Sequence, residues 1–236
     1  MIDLHTHIIY GVDDGARDMA ESLALLKQAK DQGITAMIAT PHMRYDMFEY
    51  PQDVIEGRFA KLEKEASDLG IRLVLGCSYH MNSQVMEDLK SGRVHTLGDT
   101  EYVLCEYSHV SRFRDMQNYT ARLYSAGYIP IIAHPERYDC IMEDFWRVAD
   151  LKQMGALIQV NADSVLGIVG RKIKHLSKHL LKHELADILA SDVHRVDTRP
   201  DNLGEAYKYV SRKYSAAYAD KLCNDMPGRV LQMVEH

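Results

Sequence analysis

At 236 residues and 46% hydrophobic content, the chain is long enough to bury a sizeable core, which excludes a disordered or fibrous protein. Its net charge of −6 speaks against generic binding to nucleic acid or to an acidic membrane surface. No apolar run approaches the ~20 residues of a membrane span, and no leader pattern precedes the first chemistry-bearing residue, His5. The four cysteines, Cys77, Cys105, Cys140 and Cys223, show neither Cys-x-x-Cys spacing nor a disulfide framework, so a cytoplasmic protein with buried free thiols is expected.

Apolar, β-branched runs alternate with helical patterns along the chain. Met1–His5 reads as the first strand. Asp18–Gln32 reads as a helix with Ala20, Leu23, Ala24 and Ala29 on one stripe, stopped by Gly33. Thr35–Thr40 is a second strand, and residues 43–51 form an aromatic-rich loop. Gln52–Leu69 is a helix with Ile55, Phe59, Leu62, Ala66 and Leu69 at three- and four-residue steps. Ile71–Gly76 is a third strand, and Ser83–Lys90 a short helix. Tyr102–Glu106 is the fourth strand, Arg114–Ala126 a helix and Ile129–Ala133 the fifth strand. Glu143–Met154 is a helix, Ala156–Val160 the sixth strand, Gly170–Glu184 a helix and Asp187–Ala190 the seventh strand. Helices at Asp201–Lys213 and Ala216–Leu222 follow. There is no repeat, linker or low-complexity stretch, so residues 1–236 read as a single domain.

Alternating strands and helices mean parallel βα units, arranged as a barrel or as an open doubly wound sheet. The first strand lacks a Gly-rich phosphate loop, which disfavours a nucleotide-binding fold. In βα barrels the active site lies at the carboxyl ends of the strands. In this chain those ends carry His5 and His7, then His42, then Ser78 and His80, then Glu106, then His134, then Asn161, and finally Asp192 and His194. Only the sixth lacks a metal-capable group. His5 and His7 are two apart, so on a strand they face one side. Asp13 and Asp14 follow on a Gly-flanked turn. One such histidine is ordinarily a structural residue, but the set points to a multinuclear metal site, and imidazole beside carboxylate suits Zn, Mn, Fe or Ni better than Ca.

The residues His5-Thr-His7, Val-Asp-Asp-Gly at 12–15, Pro-His42, Cys-Glu106-Tyr-Ser, Ala-His134-Pro-Glu-Arg137-Tyr and Ser-Asp192-Val-His194 resemble the PHP (polymerase and histidinol phosphatase) superfamily. Within it they are most similar to the bacterial manganese-dependent protein-tyrosine phosphatases of capsule and exopolysaccharide gene clusters. The likeness extends over nearly the whole chain, including Met-Phe-Glu after the second strand and Arg199-Pro after the last motif. It implies a distorted (β/α)7 barrel with up to three metal ions, manganese first, with iron, magnesium, zinc or cobalt as substitutes. It implies as ligands His5, His7, Asp14, His42, Glu106, His134, Asp192 and His194, and as phosphate-binding residues Arg137 and Arg199. It also implies a partner: the phosphotyrosine tail of a tyrosine kinase that controls polysaccharide polymerisation. One position departs from the pattern. Ser78 stands where the family places a metal-bridging Glu, which predicts weakened metal occupancy and catalysis unless His80 substitutes.

The expected reaction is metal-assisted hydrolysis of a phosphate monoester. A tyrosine leaving group has a pKa near 10, so strong general-acid help is less needed. The one Cys-x5-Arg spacing, Cys223 to Arg229, follows no strand end, which disfavours a thiolate mechanism. Arg137 pairs either with phosphate or with Glu136 or Asp139, and Arg199 either binds phosphate or is solvated. The loop 43–51, with Arg44, Tyr45, Phe48 and Tyr50, is either a lid or a packed loop. His175, His179 and His183 share a Lys-rich helix face, read as solvated. His95, His109 and His236 have no supporting constellation, and Asn161 is read as a group that hydrogen-bonds a ligand. Three other functions remain open: a small-molecule phosphatase of histidinol-phosphate type, an amidohydrolase-like barrel (disfavoured by the lack of a strand-end Lys), and a catalytically dead kinase-binding regulator.

Overall fold

A computed structural model describes residues 1–232; His236 lies outside the described residues. The chain runs β1 (Ile2–Thr6), α1 (Met19–Asp31), β2 (Ala36–Ala39), β3 (His42–Met43), α2 (Gln52–Asp68), β4 (Arg72–Leu75), β5 (Ser78–His80), α3 (Val85–Lys90), β6 (Tyr102–Glu106) and α4 (Phe113–Ser125). It continues through β7 (Ile129–Ala133), α5 (Asp139–Glu143), α6 (Arg147–Gln153), β8 (Leu157–Asn161), α7 (Ala162–Leu166), α8 (Arg171–Lys182) and β9 (Ile188–Ala190). Then come α9 (Leu203–Lys213), α10 (Ala216–Asp220) and α11 (Met226–Val230).

All strand pairs are parallel, in the ladders β1-β2-β4 and β3-β5-β6-β7-β8-β9. The two ladders are one bent surface. β2 passes into β3 across Thr40-Pro41, and β4 into β5 across Gly76-Cys77, while the Gly76 N–H still donates to Ala39 O at 2.9 Å and the Ser78 N–H to Pro41 O at 3.0 Å. The gap from β9 back to β1 is spanned by a single Thr6–Val193 bridge. There Asp192 N–H donates to His5 O at 3.0 Å and His7 N–H to Val193 O at 2.8 Å. The result is a distorted seven-stranded α/β barrel, as the sequence led us to expect.

Alternation along the strands divides the core in two. Ile2, Leu4, Ala36, Ile38, Leu104, Ile131, Ala133 and Ile188 fill the interior, closed at one end by Leu97, Val230 and Leu231. Met37, Val103, Cys105, Ile132, Ile158, Val160 and Leu189 pack outward, in one core with the buried residues of the helices. All four cysteines are free and buried.

Some elements differ from the sequence reading. In α1 the buried residues are Glu21, Ser22, Leu25, Leu26 and Ala29, with Ala20 exposed, so the true stripe is turned from the expected one. The helix expected over Glu143–Met154 starts later, at Arg147; Glu143 instead ends the separate short helix α5, and between the two the Asp144 carboxylate accepts the Trp146 N–H at 3.0 Å. Helix α7 directly after β8 was not anticipated. Beyond α10, a π turn at Lys221–Asp225 leads without a break into α11, which carries Pro227.

Candidate active site

The strand ends converge. Ile2 and Leu4 point into the barrel, yet His5 and His7 also aim inward above them. The register of β1 against β2 shifts between Asp3 and Thr6, and this irregularity moves the inward face from even to odd positions. His5 Nε2 and His7 Nε2 come within 3.1 Å. The Asp13-Asp14-Gly15 turn then folds back onto β1. A Cβ on Gly15 would meet His7 O at 2.1 Å, so only glycine fits there. His134 and Asp192 sit at positive φ, 34° and 54°, a strained backbone for side chains of this kind and one found at functional sites.

Three overlapping donor groups form at the barrel mouth: His7 with His42 and His194; His5 with Glu106 and His134; His5 with His7 and Asp192. Asp192 Oδ1 lies 3.5 Å from both His5 Nε2 and His7 Nε2, and Glu106 Oε1 lies 3.5 Å from His5 Nε2. Donors about 2.0–2.2 Å from a shared cation stand about 3–3.5 Å from one another, so these spacings suit ions held between them. His134 Nδ1, Asp192 Oδ1 and His194 Nε2 are buried without a hydrogen-bond partner. Such groups are costly unless something pairs with them.

A hydrogen-bond relay fixes which nitrogen of His5 faces the centre. Asp192 Oδ2 can only accept, so Asn161 Nδ2 donates to it at 2.6 Å. Asn161 Oδ1 therefore accepts from Gln159 Nε2 at 2.7 Å. Gln159 Oε1 then accepts the His5 Nδ1–H at 3.0 Å, leaving a lone pair on His5 Nε2. His7 Nδ1–H donates to Asp13 Oδ2 at 2.7 Å. Two ring nitrogens facing each other need a metal ion or a proton between them. Without metal, a proton takes that place. Burial works against it at His7, but Asp13 and Asp192 hold this imidazole up at about 10. Burial pushes its neighbour His5 down to about 3.

The carboxylates are held ionised. Burial would raise Glu106, but His42 and His134 keep it well below the usual range; His42 Nδ1 lies 3.1 Å and His134 Nε2 2.9 Å away. Burial would raise Asp192 too, and His5 and Arg199 overcome that. Arg199 donates to Asp192 Oδ2 at 2.6 Å, and Arg137 reaches the same oxygen at 3.3 Å. Arg137 also grips both Asp163 oxygens, at 2.9 and 3.1 Å. These two arginines line a cavity of about 340 Å³. A larger one of about 560 Å³ beside Glu63, Lys64 and Arg72 contains none of the donor groups.

All eight expected ligands meet here, with one difference in rank. Asp14 stands at the rim, 3.5 Å from His42 Nε2 and His194 Nε2 and outside the three donor groups. His80 belongs to none of them either. Ser78 Oγ is buried and has no partner. Arg137 pairs with Asp163 and Asp192 rather than with Glu136 or Asp139. Phe48 stacks on His42 with centroids 5.4 Å apart, and the Tyr45 hydroxyl donates to Asp88, so part of the aromatic loop is packed rather than free. His175 and His183 are exposed and His179 is half-buried, so that helix face is solvated as expected, with His179 and His183 resting beside Phe145. Asn161 does hydrogen-bond a candidate ligand. Gln159 and Asp163 were not anticipated; a lone amide inside the apolar run Ile158–Val160 was the available signal for the first.

The barrel and its mouth of imidazoles and carboxylates define a metal-dependent hydrolase of PHP type. A family description, "Capsular polysaccharide synthesis, CpsB/CapC", matches residues 1–232. The tyrosine-protein phosphatase CpsB of Streptococcus pneumoniae is 33% identical over 238 residues, covering 98% of each chain. Crystal structures of YwqE from Bacillus subtilis and CpsB from Streptococcus pneumoniae, described as metal-dependent tyrosine phosphatases, include a chain that superposes with a TM-score of 0.92 at 31% identity, over 98% of this chain and 94% of that one. The lactonase Lmo2620 of Listeria monocytogenes shares the fold alone, with a TM-score of 0.58 at 10% identity over 99% and 95%. The chain belongs to the CpsB/CapC family.

Proposed function

We propose that the chain is a metal-dependent protein-tyrosine phosphatase that removes phosphate from the phosphotyrosine tail of a bacterial tyrosine kinase governing capsular or exopolysaccharide synthesis. The observation that carries the reading is the three-lobed donor cluster beside two arginines at the barrel mouth. His5, His7, Asp14, His42, Glu106, His134, Asp192 and His194 would hold up to three ions, with manganese the first choice. Bound divalent ions supply nucleophile activation near neutral pH and neutralise phosphate charge.

The chain's own residues do the rest. Arg137 and Arg199 present planar guanidinium groups that match a phosphate's oxygens by bidentate hydrogen bonds. They already hold the ionised Asp192, so an arriving phosphate meets donors fixed in place. Asp163 keeps Arg137 oriented. The phenolate leaves with its charge, and no general acid is assigned. The four buried thiols fit a reducing cytoplasm.

The test compares phosphate release from a phosphotyrosyl peptide and from a small phosphate ester such as histidinol phosphate, with manganese added. Preference for the peptide supports the reading. Preference for the metabolite would move the assignment to a small-molecule phosphatase. Tight binding of phosphorylated peptide without turnover would make the protein a regulator.

A further inference from the structure

The cavity that holds Arg137 and Arg199 has an apolar side. Ile168, Val169 and Ile173 line it together with the two arginines. Ile168 is 63% exposed, Val169 37% and the nearby Val110, which follows the cavity-lining His109, 76%. Exposed apolar groups beside fixed charges mark binding surfaces rather than core.

The turn that presents them is built for it. Gly167 and Gly170 flank Ile168 and Val169 at φ of 85° and 112°, conformations that side-chain-bearing residues rarely adopt. The Ile168 N–H donates to Asp163 O at 2.9 Å. The Asp163 carboxylate accepts from Arg137. One residue therefore ties the apolar turn to the guanidinium group beside it.

We infer that Ile168 and Val169 form the shelf on which the aromatic ring of a phosphotyrosine lies while Arg137 and Arg199 hold its phosphate. This rests on the phosphotyrosine reading above and goes further, naming what selects an aryl ester. A flat ring buries its face on branched aliphatic side chains. A hydroxylated or charged alkyl ester would have to desolvate polar groups there without replacing their hydrogen bonds.

The experiment measures kcat/KM of the manganese-loaded protein for a phosphotyrosyl peptide and for glycerol phosphate. It uses the parent, Ile168→Asn, the double variant Ile168→Asn/Val169→Asn, Ile168→Leu and, in the aromatic loop, Tyr50→Asn. Circular dichroism checks the fold of each. The inference expects the peptide-to-glycerol-phosphate ratio to fall about tenfold in the double variant and to be kept by Ile168→Leu. Unchanged ratios in the Asn variants of a parent that prefers the peptide would overturn the shelf alone. A fall confined to Tyr50→Asn, beside His42 in a separate cavity, would put the ring there instead and overturn it too. A parent without preference for the peptide would overturn the underlying reading and the shelf with it.

Discussion

His5 and His7 turn their Nε2 atoms toward each other at 3.1 Å, with each Nδ1 already committed, one to Gln159 and the other to Asp13. Metal binding must displace the proton that otherwise sits between them. His7 holds that proton up to about pH 10. Below that value every bound proton competes with metal, so apparent affinity should fall about tenfold for each pH unit lowered. Competition against a fluorescent chelator at pH 6.5 and 7.5 reads this directly. Equal affinities at the two values would mean that no proton leaves.

The amide relay predicts a second effect. Gln159→Leu removes the acceptor for His5 Nδ1–H and frees the ring to turn or change tautomer. Manganese affinity should drop about 10- to 100-fold, as for other residues that orient a metal's ligands. Gln159→Glu, which keeps the acceptor, should retain more of it. If Leu and Glu bind metal as the parent does, the relay does not position His5.

The two arginines should separate stability from activity. Arg137 is the more buried and faces two carboxylates, Asp163 and Asp192. Arg137→Ala strands those charges and should cost about 3 kcal/mol or more in stability as well as most activity. The more exposed Arg199 pairs with Asp192 alone among the charged groups. Arg199→Ala should lower kcat/KM with a smaller change in chemical unfolding. Equal stability losses would contradict this division.

Ser78 is buried, its hydroxyl has no partner, and it stands opposite His42 in register. Ser78→Glu should raise both metal occupancy and turnover by placing a carboxylate beside the imidazoles. No gain in either would show that the site works without one there.

Beneath the centre, burial and the nearby Asp201 carboxylate push Asp3 up to about 8, while its Oδ1 accepts the N–H groups of Ser191 and His5. The folded chain then holds a proton that the unfolded chain releases near pH 4. Stability from this group is complete below pH 4 and declines as pH rises to about 8. Asp3→Asn keeps the Oδ1 acceptor and cannot ionise. It should flatten that slope and stabilise the fold at pH 8 by about 1–3 kcal/mol. Urea unfolding at pH 6 and 8 measures it.

The strand ends were legible because histidines and carboxylates recur where a βα barrel places its active site, and the two-residue spacing of His5 and His7 is local information. The phase change in β1 was not, because it depends on the register against β2. Gln159 and Asp163 escaped notice for related reasons. An amide in a strand gains meaning only when its neighbours in space are known, and α7 is a single short turn without a strong periodic signal. The break at Asp144 was not legible, because the apolar spacing around it favours one continuous helix.

The most direct measurement of the central claim is phosphate release from a phosphotyrosyl peptide by chelator-stripped protein as manganese is added back, with bound metal counted at each step. The account predicts negligible release without metal, and a rate that climbs with occupancy and levels off at two or three ions per chain. Full activity in the stripped protein would contradict it.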